Sequence, residues 1–403
     1  MTDNRQPGFM TGVSLLVSIT LSVMAIVLLA PILPLLLAEF SQVPNYEYWV
    51  PMILTVPALC VAIFSPLAGI LGDAFGRRKL LLWSFVAYAA LGVMPVFLTD
   101  LTAIIASRIG VGISEAMIMV LSTTLIGDYF KGAARDKWLA AQTAVASLSA
   151  LVFFNLGGQL GQFGWRAPFW VYLSALAMLA LVLAFTWEPK GEGMKPSEPE
   201  QTATSWQGFP WARMAAIIGI TIYGSVLFYT VQIQAPNGLT ALGWTDPAKT
   251  GFWTSVASIG VVLGTYVFSR VVQWPVKQLL LCEFALLAAG FAIMGSAASP
   301  TQFLIGCFIN QLGAGLLLPT LLVWAMSILP FAIRSRGAGM WTGAFTFGQF
   351  LSPIVVTFFD QQLGGLIPAF MAMSGMAVFG LVLATLGKFR RGVDDPVMVP
   401  AHG

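Results

Sequence analysis

Arg108 and Glu115 are two charges set inside an apolar run that extends from Leu101 to Ile126, and they are residue types able to hold an anion and to carry a proton. A charge at the centre of a membrane-crossing helix costs roughly 2.5–3.5 kcal/mol on the translocon scale, so such residues are candidates for function. Seven residues of helix put both on one face with their Cα atoms roughly 10 Å apart along the axis, with Gly110 and Gly112 between them opening room for a neighbouring helix. Both side chains lean toward the helix N-terminus, so Glu115 leans toward Arg108 while Arg108 leans away. A close salt bridge within the helix is therefore not expected, and each should meet another helix, a water or a solute. Two plainer readings stay open. Arg108, about 10 Å from the end of its helix, could snorkel to the interface, and Glu115 could be a structural carboxyl that hydrogen-bonds its neighbours.

The single histidine, His402, stands at the extreme C-terminus, so a histidine relay through the membrane is excluded. A transported proton must then ride on a carboxyl, because burial disfavours the ionised form of that group and lets it bind a proton near neutral pH. Glu115 is the best placed proton-coupling residue. Glu283 follows, at a depth that suits an interface anchor, and Glu39, just past Pro31 and Pro34, comes third. Solute contacts are expected from Arg108, Tyr223, Tyr229, Gln232, Asn310 and Gln311, with Gln142, Gln234, Trp324 and Gln349 as further cavity candidates. Any one of these is as good an interhelical hydrogen bonder as a solute ligand, but they concentrate in two stretches.

Other chemistries find no foothold. Cys60, Cys282 and Cys307 sit singly in apolar stretches as packing residues, with no metal-binding or disulfide spacing. No Gly-x-x-x-x-Gly-Lys-(Ser/Thr) loop is present for a nucleotide, and no nucleophile or metal constellation suggests an enzyme. No cofactor, catalytic residue or metal is expected. A channel would be told from a carrier by the absence of counterflow.

The elements that must position these residues follow from composition. Of 403 residues 58% are hydrophobic and 9% charged, against about 25% charged in a soluble domain. A bilayer-spanning helix needs roughly 20 apolar residues, and such stretches fall near 13–37, 49–71, 80–98, 101–126, 138–160, 167–187, 214–236, 250–269, 278–298, 301–327, 337–358 and 366–387. The chain thus reads as an all-α membrane protein with twelve transmembrane helices. The first stretch is too long for a cleaved signal peptide and should remain as a span. With the N-terminus inside, Arg5, Arg77, Arg78, Lys79, Lys131, Arg135, Lys137, Lys190, Lys195, Arg213, Arg270, Lys277, Arg334, Arg336, Lys388, Arg390 and Arg391 fall on one side, and only Arg166 and Lys249 on the other. That bias puts both termini in the cytoplasm. The net charge of +3 is scattered and does not suggest a nucleic-acid partner.

Glu188 to Pro210, with four prolines and four glutamates, reads as a solvated linker. It divides the chain into an N-terminal six-helix bundle (1–187), a linker (188–210) and a C-terminal bundle with a short tail (211–403). The halves echo one another: Arg108-Ile-Gly-Val-Gly112 matches Gln311-Leu-Gly-Ala-Gly315, and Lys79 and Lys277 open their spans at a similar offset. Parallel two-half repeats place a solute site near the midplane between the halves.

The segment Gly69-Ile-Leu-Gly-Asp73-Ala-Phe-Gly76-Arg77-Arg78-Lys79 joins the second and third spans. Its glycines allow close packing and a tight turn, and its aspartate and cations can form a charge network. Here the chain resembles the major facilitator superfamily, whose signature loop is Gly-x-x-x-Asp-(Arg/Lys)-x-Gly-Arg-(Arg/Lys). Gly164-Trp-Arg-Ala-Pro168-Phe169, Arg336-Gly337, Gly348-Gln349 and Ser352-Pro353 extend the likeness over nearly the whole chain. The resemblance implies two pseudo-symmetric six-helix bundles and alternating access. It also implies a gate at Gly69, Asp73, Gly76, Arg77 and Arg78, in which Asp73 and Arg77 latch the halves in the outward-facing state. Ala74 replaces the usual basic residue, and the corresponding loop Arg270 to Lys277 lacks the aspartate and glycines, so the latch should be lopsided.

Arg108-x-x-x-Gly-x-x-Glu115-Ala116 followed by Gly127-Asp128-Tyr-Phe130 is similar to the fourth span of Spinster-like and organic-anion symporter members. That likeness associates the arginine with substrate and the glutamate with protons. Gly339-Met-Trp341-Thr-Gly343 resembles sugar- and drug-efflux members, whereas only Gly157-Gly158 remains of the Gly-Pro-x-x-Gly-Gly run of drug antiporters. The expectation is a monomeric, proton-coupled secondary carrier of a small organic solute, seated among lipid in the cytoplasmic membrane. Proton-driven efflux of drugs, sugars or amphipaths, or uncoupled facilitation, is the alternative.

Overall fold

Lipid offers backbone groups no hydrogen-bonding partner, so a chain this apolar must satisfy them within helices. A computed structural model of the protein describes residues 6–188, 209–329, 334–387 and 389, without the side chains of 136, 140, 143 and 334–336. Twelve helices in it are long and apolar enough to cross a membrane. In chain order the first six spans are Phe9–Glu39, Tyr46–Phe75, Arg77–Val96, Leu101–Tyr129, Gly132–Gly161 and Ala167–Phe185. The second six are Trp211–Ala241, Pro247–Val271, Val276–Gly295, Pro300–Ser327, Gly337–Leu363 and Leu366–Leu386. An even number of crossings puts both chain ends on one side, here called the terminal face, with the far face opposite.

The first span departs from the single helix expected over 13–37. It runs as Phe9–Ser18, Thr20–Val27, a short 3-10 turn Ala30–Ile32 and Leu33–Glu39. Pro31 and Pro34 lack the amide hydrogen that a continuous helix requires. Around Ile19, the hydroxyls of Ser18 and Ser22 bond back to the carbonyls of Ser14 and Ile19, a competition that bends helices. Other starts are capped: on the far face, the side chains of Asp100, Asp246 and Ser299 accept from Ala103, Ala248 and Gln302 amides at 2.8, 2.9 and 3.3 Å.

Buried apolar side chains gather in two large clusters. One is drawn from residues 15–182 together with Ile233, the other from residues 209–384. The second span packs on the eleventh and the fifth on the eighth across the junction of the halves. A Cβ on Gly251 would meet the Phe154 carbonyl oxygen at 2.5 Å and Gly158 Cα at 2.9 Å, so that crossing is a backbone contact that only glycines permit. The surviving pair Gly157-Gly158 of the fifth span therefore serves close packing, Gly157 against Leu28 of the first span and Gly158 against the eighth.

Among the described residues, the hydrogen bonds that join the halves lie from mid-depth to the far face. Tyr48 meets Gln361 (3.0 Å), Thr357 donates to the Glu47 carbonyl (3.3 Å), Gln162 to Asp246 (3.4 Å) and Ser255 to the Leu151 carbonyl (3.0 Å). Among the described residues, then, the bonds that close the junction of the halves lie on the far-face side. The expected linker, from 189 to 208, lies outside the described residues, as do Arg5, Lys190, Lys195, Lys388, Arg390, Arg391, His402 and the side chains of Arg334 and Arg336.

Candidate functional site

Arg108 is fully buried. Its Nη2 donates to the Tyr172 hydroxyl at 2.5 Å, and the guanidinium lies 4.6 Å from the Tyr172 ring and 5.7 Å from that of Phe169. The snorkelling alternative is thereby excluded, since the cation is covered by sixth-span rings, where cation–π attraction offsets part of its desolvation. Tyr172 packs against Tyr88 with ring centroids 5.3 Å apart, and Tyr88 donates to the Leu21 carbonyl at 2.7 Å. The first, third, fourth and sixth spans therefore enclose the charge. Nε and Nη1 remain without a protein acceptor.

Glu115 is 5% exposed, and its Oε2 has no protein donor. No ion pair joins it to Arg108, as the helix geometry leads one to expect. It acts electrostatically on Tyr88 and Tyr172 of its own half, on Cys60, and on Tyr229 of the opposite half. Gly112 lets the second span approach this level: a Cβ there would lie 2.6 Å from Pro57 Cα. Glu115 thus stands between the Arg108 network and the junction of the halves.

From the seventh span, Tyr229 packs its ring 5.3 Å from Phe345, which stacks on Trp341 at 5.4 Å. One turn on, Gln232 Nε2 donates to Gln311 Oε1 at 2.6 Å, Gln311 to Asn310 Oδ1 at 3.4 Å, and Asn310 to the Leu287 carbonyl at 3.4 Å. This chain of amides ties the seventh, tenth and ninth spans. It leaves Gln232 Oε1 and Trp341 Nε1 buried without protein partners. Tyr223, by contrast, turns away from this group. Its hydroxyl donates to the Met376 carbonyl, and its ring lines an apolar cavity of about 180 Å³ with Phe284 and Leu383.

The remaining candidates are distributed more widely. Gln142 accepts from Thr123 at 3.3 Å, Gln234 from Asn237 at 2.7 Å, Gln349 is buried, and Trp324 packs on Phe389. Glu283 is fully buried and accepts from Thr320 at 2.5 Å, so the interface-anchor reading gives way. Its span begins at Val276, and the carboxyl faces the tenth span. Glu39 lies 3.9 Å from Arg166, both partly exposed. Cys60 and Cys307 are buried, whereas Cys282 is exposed rather than a packing residue.

At the terminal face, Gly76 adopts φ 92°, a conformation suited to glycine that lets the third span start at once. Arg77 bridges two carboxylates, Asp128 through Nη1 (2.6 and 2.7 Å) and Asp73 through Nε and Nη2 (2.9 and 2.7 Å). Arg78 donates to Thr186 and to the Leu183 carbonyl, while Glu188 accepts from the amides of Arg78 and Lys79 at 3.2 and 3.1 Å. In the second half only the cation survives: Lys277 donates to the Thr385 carbonyl at 2.5 Å. Gly69 touches nothing that would require a glycine. Sequence reasoning missed Tyr88, Tyr172 and Glu188, which reveal their roles only when separate spans meet. Asp128 had a signal in its Gly-Asp-Tyr-Phe context.

A profile of the Major Facilitator Superfamily matches residues 15–245. The uncharacterized MFS-type transporter YceJ of Bacillus subtilis (strain 168) is 25% identical over 363 residues, covering 86% of this chain and 88% of that protein. The class B tetracycline resistance protein of Escherichia coli is 24% identical over 323 residues, covering 77% and 78%. A bacterial homologue of the human lysosomal transporter Spinster, in an inward-facing and unoccupied conformation, shares the fold. Its TM-score is 0.77 at 15% identity, over 93% of this chain and 96% of that one.

Proposed function

The chain belongs to the Major Facilitator Superfamily, a multi-pass secondary transporter of the cytoplasmic membrane and not an enzyme, and from that premise we propose that it moves a small organic solute by proton-coupled alternating access with Glu115 as the coupling carboxyl. One observation carries this reading: Glu115 is a buried carboxyl with an unpartnered oxygen, set between a buried arginine and the opposite half. An isolated buried carboxylate is costly, and the usual response is to take up a proton. A carboxyl at the junction of two moving halves changes its surroundings when they rock, which can turn movement into proton release.

Arg108 supplies a fixed positive charge whose free Nε and Nη1 can hold water or an anionic group of the solute. Gln232, Gln311 and Asn310 offer amide contacts from the second half, and Tyr229 and Phe345 an aromatic wall. The positive-inside bias supports reading the terminal face as cytoplasmic, which makes the described state inward-facing. The Arg77 cluster, bonded within the first half, is then the latch in its released form. The expected division at 188–210, with a monomer as the working unit, belongs to the same proposal.

The relationship to the tetracycline resistance protein favours a second reading, proton-driven export of amphipathic compounds. Proton flux in liposomes, measured while organic anions, sugars and amphipathic drugs are added in turn, decides between them. Solute-dependent proton movement in the direction of the solute supports symport, and opposite movement supports export. Solute flux without proton movement overturns the coupling.

A further inference from the structure

Ser122 is a fully buried hydroxyl of the fourth span with no protein hydrogen-bond partner. Its neighbours show the ordinary fate of a hydroxyl in a helix, which is to bond the carbonyl one turn earlier. Ser107, Ser114 and Thr124 do so at 2.6, 2.9 and 2.8 Å, and Thr123 reaches Gln142. Among the buried serine and threonine hydroxyls described in this span, Ser122 is the one that finds no protein partner.

Its position gives that exception meaning. Arg108, Glu115, Ser122 and Tyr129 recur every seven residues, and successive heptad positions on a helix drift by only about 20°. They form one polar stripe about 31 Å long, with Ile118, Leu121, Leu125 and Ile126 buried alongside. One heptad in from its Arg108 end lies the unpartnered Oε2 of Glu115. At the terminal face Tyr129 shares its hydroxyl with the Trp187 backbone. The first segment of the first span packs on this helix and adds the buried hydroxyls of Thr11, Ser14 and Ser18, each already donating to a carbonyl.

Buried polar atoms without protein partners are satisfied by water, which needs 2–4 polar neighbours. Ser122 and Glu115 are about 10 Å apart along the helix, a gap that a few waters at hydrogen-bond spacing can cross. We propose that Ser122 and the waters it holds carry the coupling proton between Glu115 and the terminal face, through the interior of the N-terminal half rather than the cleft. Proton and solute then reach the coupling site by separate routes. In each passage a hydronium ion at the terminal face gives up its proton. Every hop breaks one O–H bond and forms another, and the last proton joins Oε2, so carboxylate and hydronium become carboxylic acid and water with the serine hydroxyl restored. The charged and titratable groups that flank the inner end are Arg108, Tyr88 and Tyr172, with Cys60 and Tyr229 on the cleft side.

This inference rests on Glu115 being the coupling carboxyl, and its test separates the two. Ser122→Val fills the site with methyl groups, while Ser122→Thr keeps the shape and restores the hydroxyl. In liposomes, Ser122→Val is expected to slow proton-driven uptake at least tenfold with KM unchanged. Solute exchange at equal pH should persist, and Ser122→Thr should transport like the parent. Wild-type driven uptake in Ser122→Val, or a parallel fall in driven uptake and exchange, overturns the proton path. If Glu115→Gln abolishes coupling while Ser122→Val does not, only the path fails. If Glu115→Gln also keeps coupling, the parent reading fails with it.

Discussion

Arg108 gives its one protein hydrogen bond to Tyr172 and none to Glu115, although the two charges share a face of the same helix. The guanidinium is anchored toward the sixth span, and the carboxyl is left for a mobile partner. A direct ion pair would satisfy both groups and remove the reason for a proton to come and go.

Tyr172→Phe removes the only acceptor described for this guanidinium and keeps the ring beneath it. Hydrogen bonds to charged groups contribute about 1.5–3 kcal/mol, so the variant should unfold at a lower temperature in detergent. Its transport should also shift in pH dependence, because Arg108 becomes freer to approach Glu115. An unchanged melting temperature and pH profile would show the bond to be incidental.

Gly158→Leu places a side chain where the fifth and eighth spans touch backbone to backbone. The sealed far face should be driven open. Cysteines introduced at Gln162 or Asp246, whose side chains lie 3.4 Å apart in the sealed state, should react faster with a membrane-impermeant thiol reagent in the variant. Equal labelling in both proteins would contradict the assignment of this crossing as the seal.

Much of this architecture was legible in the sequence, because apolar length and charge placement are one-dimensional signals. The twelve spans and the position of Arg108 and Glu115 within one of them follow from these signals, and the turn at Gly76 from its glycine; that Arg108 stays inside rather than snorkelling was settled by the rings of the sixth span. What escaped depends on rotation and on meetings between distant segments. Tyr223 and Tyr229 lie six residues apart in one span, yet one faces the twelfth span and the other the junction. Glu283 looked like an interface anchor from its distance along the chain, and only the packing of the ninth span on the tenth buries it. Glu188 caps the third span across more than a hundred residues of sequence, a relation no local pattern records.

Gln311→Leu should cost about 1–3 kcal/mol, since it leaves the Gln232 amide buried without its acceptor. The double variant Gln232→Leu with Gln311→Leu removes both partners and should recover part of that stability. A thermal-stability cycle reads the coupling directly. Additive losses would show that the two amides do not act as a pair. If they also touch solute, KM rises in both variants.

Asp128→Asn should impair transport more than Asp73→Asn. Both carboxylates meet Arg77, but the Asp73 side chain is 63% exposed and that of Asp128 only 22%, and exposed pairs contribute little, about 0–1 kcal/mol. Turnover at low and high salt should separate them, with the Asp73 contribution fading as salt rises. A larger defect in Asp73→Asn would point to a partner for Asp73 in the opposite conformation.

The central claim is that Glu115 joins proton movement to solute movement. Its most direct measurement is transport by Glu115→Gln in liposomes, driven either by a pH gradient or by solute alone. In Glu115→Gln, accumulation against a gradient should be lost, while exchange of labelled for unlabelled solute continues near the parent rate. Proton-driven accumulation at the parent level in Glu115→Gln would contradict it.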